Sequence, residues 1–175
     1  LVSYAPVKSL VKKYPDLNII HFDAHTDLRR DYLGEEFSHA TVLRRIYDLV
    51  GDGKLNQFCI RSGLKEEFEW AKEHAHLEKF TFNTLESRVE ALINEPVYIT
   101  IDLDVFDPSV FPGTGTPEPG GINFHQMLEI IGTLSKLENV VGLDVVELSP
   151  KHDASGVSTA VACKTLRELV LATIK

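Results

Sequence analysis

The sequence predicts an α/β fold in three layers, in which a mostly parallel β-sheet is covered by helices on both faces. Two observations lead to this prediction. Strand-like and helix-like segments alternate along the chain, and the segment PVYITID reads as a strand buried on both faces. No repeat, low-complexity tract or linker interrupts the alternation, so we expect residues 1–175 to form a single domain.

The first half of the chain contains two strand-then-helix units. An apolar pair, Ile19-Ile20, marks the first strand. In the segment SHATVLRRIYDLV the apolar residues recur at helical spacing, and the pattern stops at the turn Gly51-Asp52-Gly53. The prediction for this half is strands at 18–22 and 55–60 and helices over 38–50 and 65–74.

The second half continues the alternation around one long loop. Residues 107–121 contain four prolines and four glycines, which predicts an irregular loop. Loops of this length in a compact domain are usually functional or mobile. The remaining predicted elements are strands at 79–82, 96–102 and 140–148 and helices over 85–93, 124–137 and 157–174.

Composition narrows the possible partners and compartment. The net charge of −8 argues against a nucleic-acid partner, which needs a basic face, and weakly favours cationic ligands. No apolar run approaches the roughly 20 residues needed to cross a bilayer, so we expect no membrane association. The two cysteines, Cys59 and Cys163, do not suggest a disulfide framework, which favours a reducing, cytoplasmic location.

Three of the predicted strands end in an unusual set of acids and one histidine. In a parallel sheet the carboxyl ends of the strands meet at one edge, where ligands bind. Residues two apart in an extended chain share a side, so each set is expected to point together. The residues are Asp23, His25 and Asp27 at the end of the first strand, Asp102 and Asp104 at the end of the fourth, and Glu147 at the end of the fifth.

Carboxylates gathered at one edge would repel each other without a counter-charge, and a divalent cation supplies it. Oxygen-rich ligands with one imidazole suit Mn²⁺ better than a zinc site built with cysteines. Several acids must then bridge, which favours two ions about 3.5–4 Å apart that hold a hydroxide between them. A single Asp-x-His would more often be a loop cap, but a second Asp-x-Asp pair favours metal binding.

Two motifs connect these residues to a known family. Ile19 to Asp27 fits at every position a motif of two aliphatics, any residue, an apolar residue and Asp-(Ala/Ser)-His-x-Asp. Thr100 to Asp104, continued through Pro112-Gly113 to Gly121, fits a second motif that begins (Ser/Thr)-apolar-Asp-apolar-Asp. The sequence therefore resembles the ureohydrolases, the arginase and agmatinase family. The resemblance covers essentially the whole chain and implies an arginase-like fold.

The resemblance implies a binuclear manganese site that hydrolyses a guanidinium to urea and an amine. Asp23 and Asp102 match the bridging carboxylates. Glu147 matches the acid that receives the substrate guanidinium, and His39 matches the histidine proposed to pass a proton to the leaving amine. The metal ligands implied by the resemblance are Asp23, His25, Asp27, Asp102 and Asp104, and the implied catalytic residues are His39, Glu147 and Asp27.

Agmatine is the substrate that the resemblance favours, with putrescine and urea as products. Tyr32-x-Gly34 followed by Ser38-His39-Ala40 is similar to agmatinases, whereas arginases place an Asn-containing loop here. Arginine and guanidinobutyrate remain alternatives. Two other classes stay open: a catalytically silent homologue that acts by assembly, and a deacetylase-type zinc hydrolase, which the Asp-x-Asp pattern fits poorly. The family also implies a homo-oligomer, commonly a trimer or hexamer.

The start of the chain departs from the family pattern. Leu1 to Ala5, and then Ser9, fit the tail of the family's first motif, so its metal-binding histidine and the first strands of the sheet are expected to lie upstream. The chain is then either a truncated protein or a part of a longer one. We expect weakened metal occupancy on the side served by Asp27, and poor hydrolysis by this exact chain.

Overall fold

The computed structural model describes residues 2–174, which form one parallel sheet with helices on both faces, as predicted. All neighbouring strands pair in parallel, in the order β3-β2-β1-β4-β5. The strands are β1 (Asn18–Phe22), β2 (Leu55–Ile60), β3 (His76–Lys79), β4 (Val97–Asp102) and β5 (Val140–Val146). The helices are α1 (Tyr4–Leu10), α2 (Val42–Val50), α3 (Lys65–His74), α4 (Leu85–Ala91), α5 (Phe124–Leu134) and α6 (Val157–Thr173).

Side chains of the central strands pack into two hydrophobic cores, one on each face of the sheet. In β1, Ile19 packs into the core shared with α1, α2 and α3, and Ile20 packs into the core shared with α4, α5 and α6. Tyr98 and Ile99 divide in the same way in β4, because successive residues of a strand face opposite sides. Burying a side chain such as Ile19 stabilises the fold by about 2 kcal/mol. The cores therefore hold β1 and β4 rigidly side by side, with their carboxyl ends at the same edge.

Two strand boundaries differ from the predictions at residues whose backbone adopts a positive φ. The strand expected at 79–82 lies instead at His76–Lys79, and it ends because Phe80 adopts a positive φ of 61°. Similarly, β5 stops at Val146 because Glu147 adopts φ 64°. Helix α1 was not predicted, since it has only 7 residues and contains a proline in its first turn, where the missing N–H is tolerated.

The long loop predicted at 107–121 is irregular and returns to the sheet edge. Asp107 N donates to Ile122 O at 3.0 Å, and Ile122 N donates to Val105 O at 3.1 Å, so the end of the loop is fastened beside the end of β4. Within residues 2–174, no helix combines the length and apolar character that a bilayer crossing requires.

Gly121 is the residue that lets this loop close, which gives a stability prediction. A Cβ at Gly121 would lie 2.6 Å from Val105 O, whereas a Cβ at Gly132 in α5 meets no atom within 4 Å. We expect Gly121→Ala to destabilise the protein by about 1–3 kcal/mol, and the control Gly132→Ala to stabilise it by up to about 1 kcal/mol. Chemical denaturation measures both changes, and equal effects of the two substitutions would contradict the tight closure.

Candidate metal centre

The first part of the site is the loop that follows β1. Asp23 is 1% exposed, and its Oδ1 accepts a hydrogen bond of 2.6 Å from His25 N. The strand ends at Phe22, and Asp27 lies at φ 53°. The expectation that Asp23, His25 and Asp27 share a side through strand alternation was therefore wrong in its mechanism, because a tight loop shapes this segment.

The second part of the site is the turn that follows β4. Asp104 N donates to Asp102 Oδ1 at 2.9 Å, which caps a short 3-10 turn over Leu103–Val105. Asp104 is 1% exposed, and its Oδ1 accepts a hydrogen bond of 3.0 Å from Ala24 N. This bond joins the β4 turn to the β1 loop, so the two motifs form one structure.

Three side chains from these segments converge closely enough to hold one metal ion. One ligand atom each from Asp23, His25 and Asp104 lies within 4.8 Å of the other two. His25 Nδ1 is 3.0 Å from Asp104 Oδ2 and 3.3 Å from Asp23 Oδ1. Two carboxylates and one imidazole are donors that fit Mn²⁺ and similar divalent ions. The residues present thus fit a metal site at the predicted edge of the sheet.

Asp27 and Asp102 lie around this group but are not part of the three-residue cluster. Burial, and then the charge of Asp23, raise the pKa of Asp102 well above its usual value. The same two causes raise the pKa of Asp27. The acids are therefore close enough to repel one another, and a cation among them would relieve that repulsion.

The pKa values of the three clustered residues, Asp23, His25 and Asp104, are also shifted by burial and by their neighbours. Burial and the charge of Asp23 raise the pKa of Asp104 to about 6. Burial alone would lower the pKa of His25, but hydrogen bonds with Asp104 and Asp23 outweigh it and raise that pKa to about 10. Burial also opposes the ionisation of Asp23, but hydrogen bonds with His21 and His25 hold its pKa well below the usual value. At neutral pH, protonated His25 supplies the positive charge that these carboxylates require.

Two buried polar residues that the sequence reasoning missed support Asp23. His21 Nε2 lies 2.9 Å from Asp23 Oδ2, and Gln57 Nε2 donates to His21 Nδ1 at 3.1 Å and to Thr26 O at 2.8 Å. Since Gln57 occupies Nδ1 as a donor, His21 carries its proton on Nε2 and donates it to Asp23. The sequence signal for them is a polar residue in the interior of each of two mostly apolar strands, next to Asn56 in the case of Gln57.

Arg61, which follows β2, links the turn after β4 to the loop 107–121. Its Nη2 donates to Asp104 O at 2.6 Å and to Glu118 O at 2.9 Å. Glu118 Oε1 in turn lies 3.8 Å from His25 Nε2, and Thr116 Oγ1 lies 3.4 Å from Asp104 Oδ2. The loop 107–121 therefore covers the metal-ligand cluster.

The two other predicted catalytic residues lie at the surface. His39 begins a 3-10 turn, is exposed, and contacts Tyr32 edge to face with ring centroids 5.1 Å apart. Glu147 is exposed at the end of β5, and its Oε2 lies 3.9 Å from where a Gly115 Cβ would be. Neither joins the cluster of Asp23, His25 and Asp104, so their roles stay predictions.

Comparisons with known proteins agree with the geometry. A model described as the Arginase family matches residues 1–172. The chain is similar to the agmatinase of Bacillus subtilis (strain 168), at 48% identity over 100% of this chain and 61% of that protein. It is also similar to the guanidinobutyrase of Pseudomonas aeruginosa, at 31% identity over 94% of this chain and 55% of that protein. The chain thus spans about 61% of the length of the agmatinase that it matches.

The fold is also found in solved structures. A candidate agmatinase from Clostridium difficile has a TM-score of 0.95 with this chain, at 53% identity over 98% of this chain and 63% of that one. The matched region includes both motifs, whose acids the fold brings to one edge of the sheet. From the match over nearly its whole length, the chain belongs to the arginase family.

Proposed function

We propose that the protein containing this chain is a manganese-dependent ureohydrolase that converts agmatine to putrescine and urea. The observation that carries the proposal is the convergence of Asp23, His25 and Asp104, which places three metal-type donors within 4.8 Å of one another. The similarity to the Bacillus subtilis agmatinase supports the choice of substrate. A homo-oligomer, a trimer or hexamer, a cytoplasmic location and a single domain over residues 1–175 belong to the same proposal.

We assign the proposed ligands the roles that the two motifs imply. Asp23, His25 and Asp104 would hold one manganese ion, and Asp27 and Asp102 would complete the binuclear site, with Asp23 and Asp102 shared. Manganese ions in such a site activate water as a nucleophile at neutral pH. The chain contributes three buried acids, Asp23, Asp102 and Asp104, and the partly buried Asp27, whose mutual repulsion cations would relieve.

Other residues of the chain act on the substrate. Glu147 is proposed to pair with the planar guanidinium, which a carboxylate meets with two hydrogen bonds. His39 is proposed to carry a proton to the departing amine, since histidine titrates near neutrality. Both side chains are exposed, so both are accessible to a ligand in solvent.

Urea release by the full-length protein, measured after manganese loading, tests the proposal. We expect the highest kcat/KM on agmatine, at least about tenfold above arginine, because residues 32–40 contain no Asn of the kind expected in the arginase loop that grips an amino-acid head group. Glu147→Gln should raise KM for agmatine, and His39→Asn should mainly lower kcat. His125→Asn, at the start of α5 and outside these roles, serves as the control. Absence of urea from every guanidino compound would overturn the proposal and favour a protein that acts only by assembly.

Guanidinobutyrate is the second candidate substrate, because the chain is also similar to a guanidinobutyrase. It shares the guanidinium that Glu147 would bind, and it carries a carboxylate at the other end. The same assay separates the two, since a kcat/KM higher for guanidinobutyrate than for agmatine would assign the former. The family match disfavours the zinc deacetylase alternative.

A further inference from the structure

Glu67 is a buried carboxylate on α3 that reaches the metal-ligand loop. Its side chain is only 5% exposed, although acids are rarely buried without partners. Oε1 of Glu67 accepts hydrogen bonds from Thr26 Oγ1 at 2.6 Å and from Leu28 N at 2.9 Å. These donors belong to the two neighbours of Asp27, so one carboxylate oxygen holds the chain on both sides of a proposed ligand.

The backbone of Asp27 needs such support. Its φ of 53° lies in the left-handed region, which residues other than glycine adopt infrequently. Its carbonyl oxygen accepts hydrogen bonds from Leu43 N at 3.1 Å and from Arg44 N at 3.2 Å, both in the first turn of α2. Strained conformations persist where the surroundings fix them, and here α2 and Glu67 do so together.

Helix capping uses only one of the two carboxylate oxygens of Glu67. Its Oε2 accepts a hydrogen bond of 2.6 Å from Leu64 N, which satisfies a free backbone N–H at the start of α3. A purely structural acid would need nothing more. The second oxygen is used entirely by the loop, and the ion pair with Arg29 Nε is long, at 3.8 Å. The cost of burying this charge is thus offset largely by bonds to the loop and the cap.

We propose that Glu67 is a positioning residue that fixes the backbone of Asp27 so that its carboxylate can bind metal. It acts through Thr26 and Leu28 and has no part in the chemical steps. The inference rests on the proposed function, because it assumes that Asp27 holds a metal ion. Groups that orient metal ligands typically change metal affinity by about 10–100-fold when they are replaced.

Manganese titration of metal-stripped protein, followed by calorimetry, tests this role. Glu67→Gln leaves a single acceptor oxygen to serve both the loop and the cap, and we expect Mn²⁺ affinity to fall about tenfold or more. Thr26→Val removes one hydrogen bond to the loop and leaves the α3 cap intact, so it should lower affinity in the same direction. Glu66→Gln removes the same charge from an exposed neighbour and should leave affinity unchanged.

A double-substitution cycle and a melting curve distinguish a positioning role of Glu67 from a merely structural one. Because Thr26 and Glu67 act through one bond, their effects on affinity should be less than additive. Thr26→Val removes a hydrogen bond to a buried carboxylate, so its metal-free melting temperature should fall by a few degrees while the protein stays folded. A merely structural role would lower that temperature without lowering the Mn²⁺ affinity of the folded protein. Unchanged affinity in both folded variants would overturn the positioning role alone. A wild-type protein that binds no manganese would instead overturn the proposed function.

Discussion

An Asp104→Asn variant should lose Mn²⁺ affinity by about 100-fold or more, with a comparable fall in urea release. The substitution is nearly isosteric and preserves the local bonds. Its amide oxygen can still accept from Ala24 N, and its amide N–H can donate to His25 Nδ1 once that nitrogen is neutral. What it removes is a charged ligand, whose loss should exceed the range for groups that only orient ligands.

The metal-free form of Asp104→Asn should nevertheless stay folded. The raised pKa of Asp104, caused by burial and by the charge of Asp23, means that ionising this carboxyl already opposes folding. The substitution removes that unfavourable ionisation, which stabilises the variant, whereas loss of the ion pair with His25 destabilises it. We therefore expect the metal-free melting temperature to change by no more than about 4 °C.

A sheet aspartate away from the cluster provides the matched control. Asp144 on β5 accepts hydrogen bonds from Tyr98 Oη at 2.7 Å and from Thr100 Oγ1 at 2.6 Å. Asp144→Asn should lower the melting temperature while leaving Mn²⁺ affinity within about threefold. If instead Asp104→Asn retains affinity and Asp144→Asn loses it, the assignment of ligands fails.

Manganese binding at pH 7.5 should release at least one proton. His25 is protonated at this pH, because hydrogen bonds with Asp104 and Asp23 outweigh burial and raise its pKa to about 10. A metal ligand must be neutral imidazole, so the proton leaves on binding. Affinity should then rise by up to about tenfold per pH unit between pH 6.5 and 8.5.

Titration calorimetry in two buffers with different ionisation enthalpies measures the released protons directly. His76→Asn replaces a histidine on the edge strand β3 and should release the same number as the wild type. An affinity that does not change with pH would mean that His25 is not a ligand.

The stability of the metal-free protein should fall as the pH rises, whereas Mn²⁺ affinity should increase. A histidine whose folded pKa is raised stabilises the fold fully below about pH 6.5, and this contribution is lost as the pH rises towards about 10. The raised pKa of Asp104 acts in the same direction between about pH 4 and 6. Melting temperature should therefore fall between pH 6.5 and 9 without metal, and manganese should reverse much of that loss.

The sequence predicted the sheet and the ligand-bearing edge because these depend on strong local patterns. Apolar runs such as Ile19-Ile20 and the acids that follow them are visible without tertiary information. The strand β3 was misplaced because HLEK is a polar, partly exposed edge segment that carries no apolar run. Its position is set by pairing with β2 and by the turn at Phe80.

The supporting residues of the site could not be predicted for a related reason. His21 and Gln57 are polar residues in mostly apolar strands, and only the packed sheet shows that they meet. Glu67 reads in sequence as one of several acids on an amphipathic helix. Its contact with the loop spans 41 residues of the chain, and neither periodicity nor spacing contains that information. The left-handed conformation of Asp27 is likewise a product of contacts from two helices.

The central claim is that acids from separate strand ends gather around divalent cations. Anomalous diffraction at the manganese edge, from crystals of the protein grown with Mn²⁺, tests it most directly. We expect anomalous peaks in contact with Asp23, His25 and Asp104, and with Asp27 and Asp102 on the same pair of ions. Peaks located elsewhere, or a cluster whose carboxylates contact only arginine and lysine side chains, would contradict it.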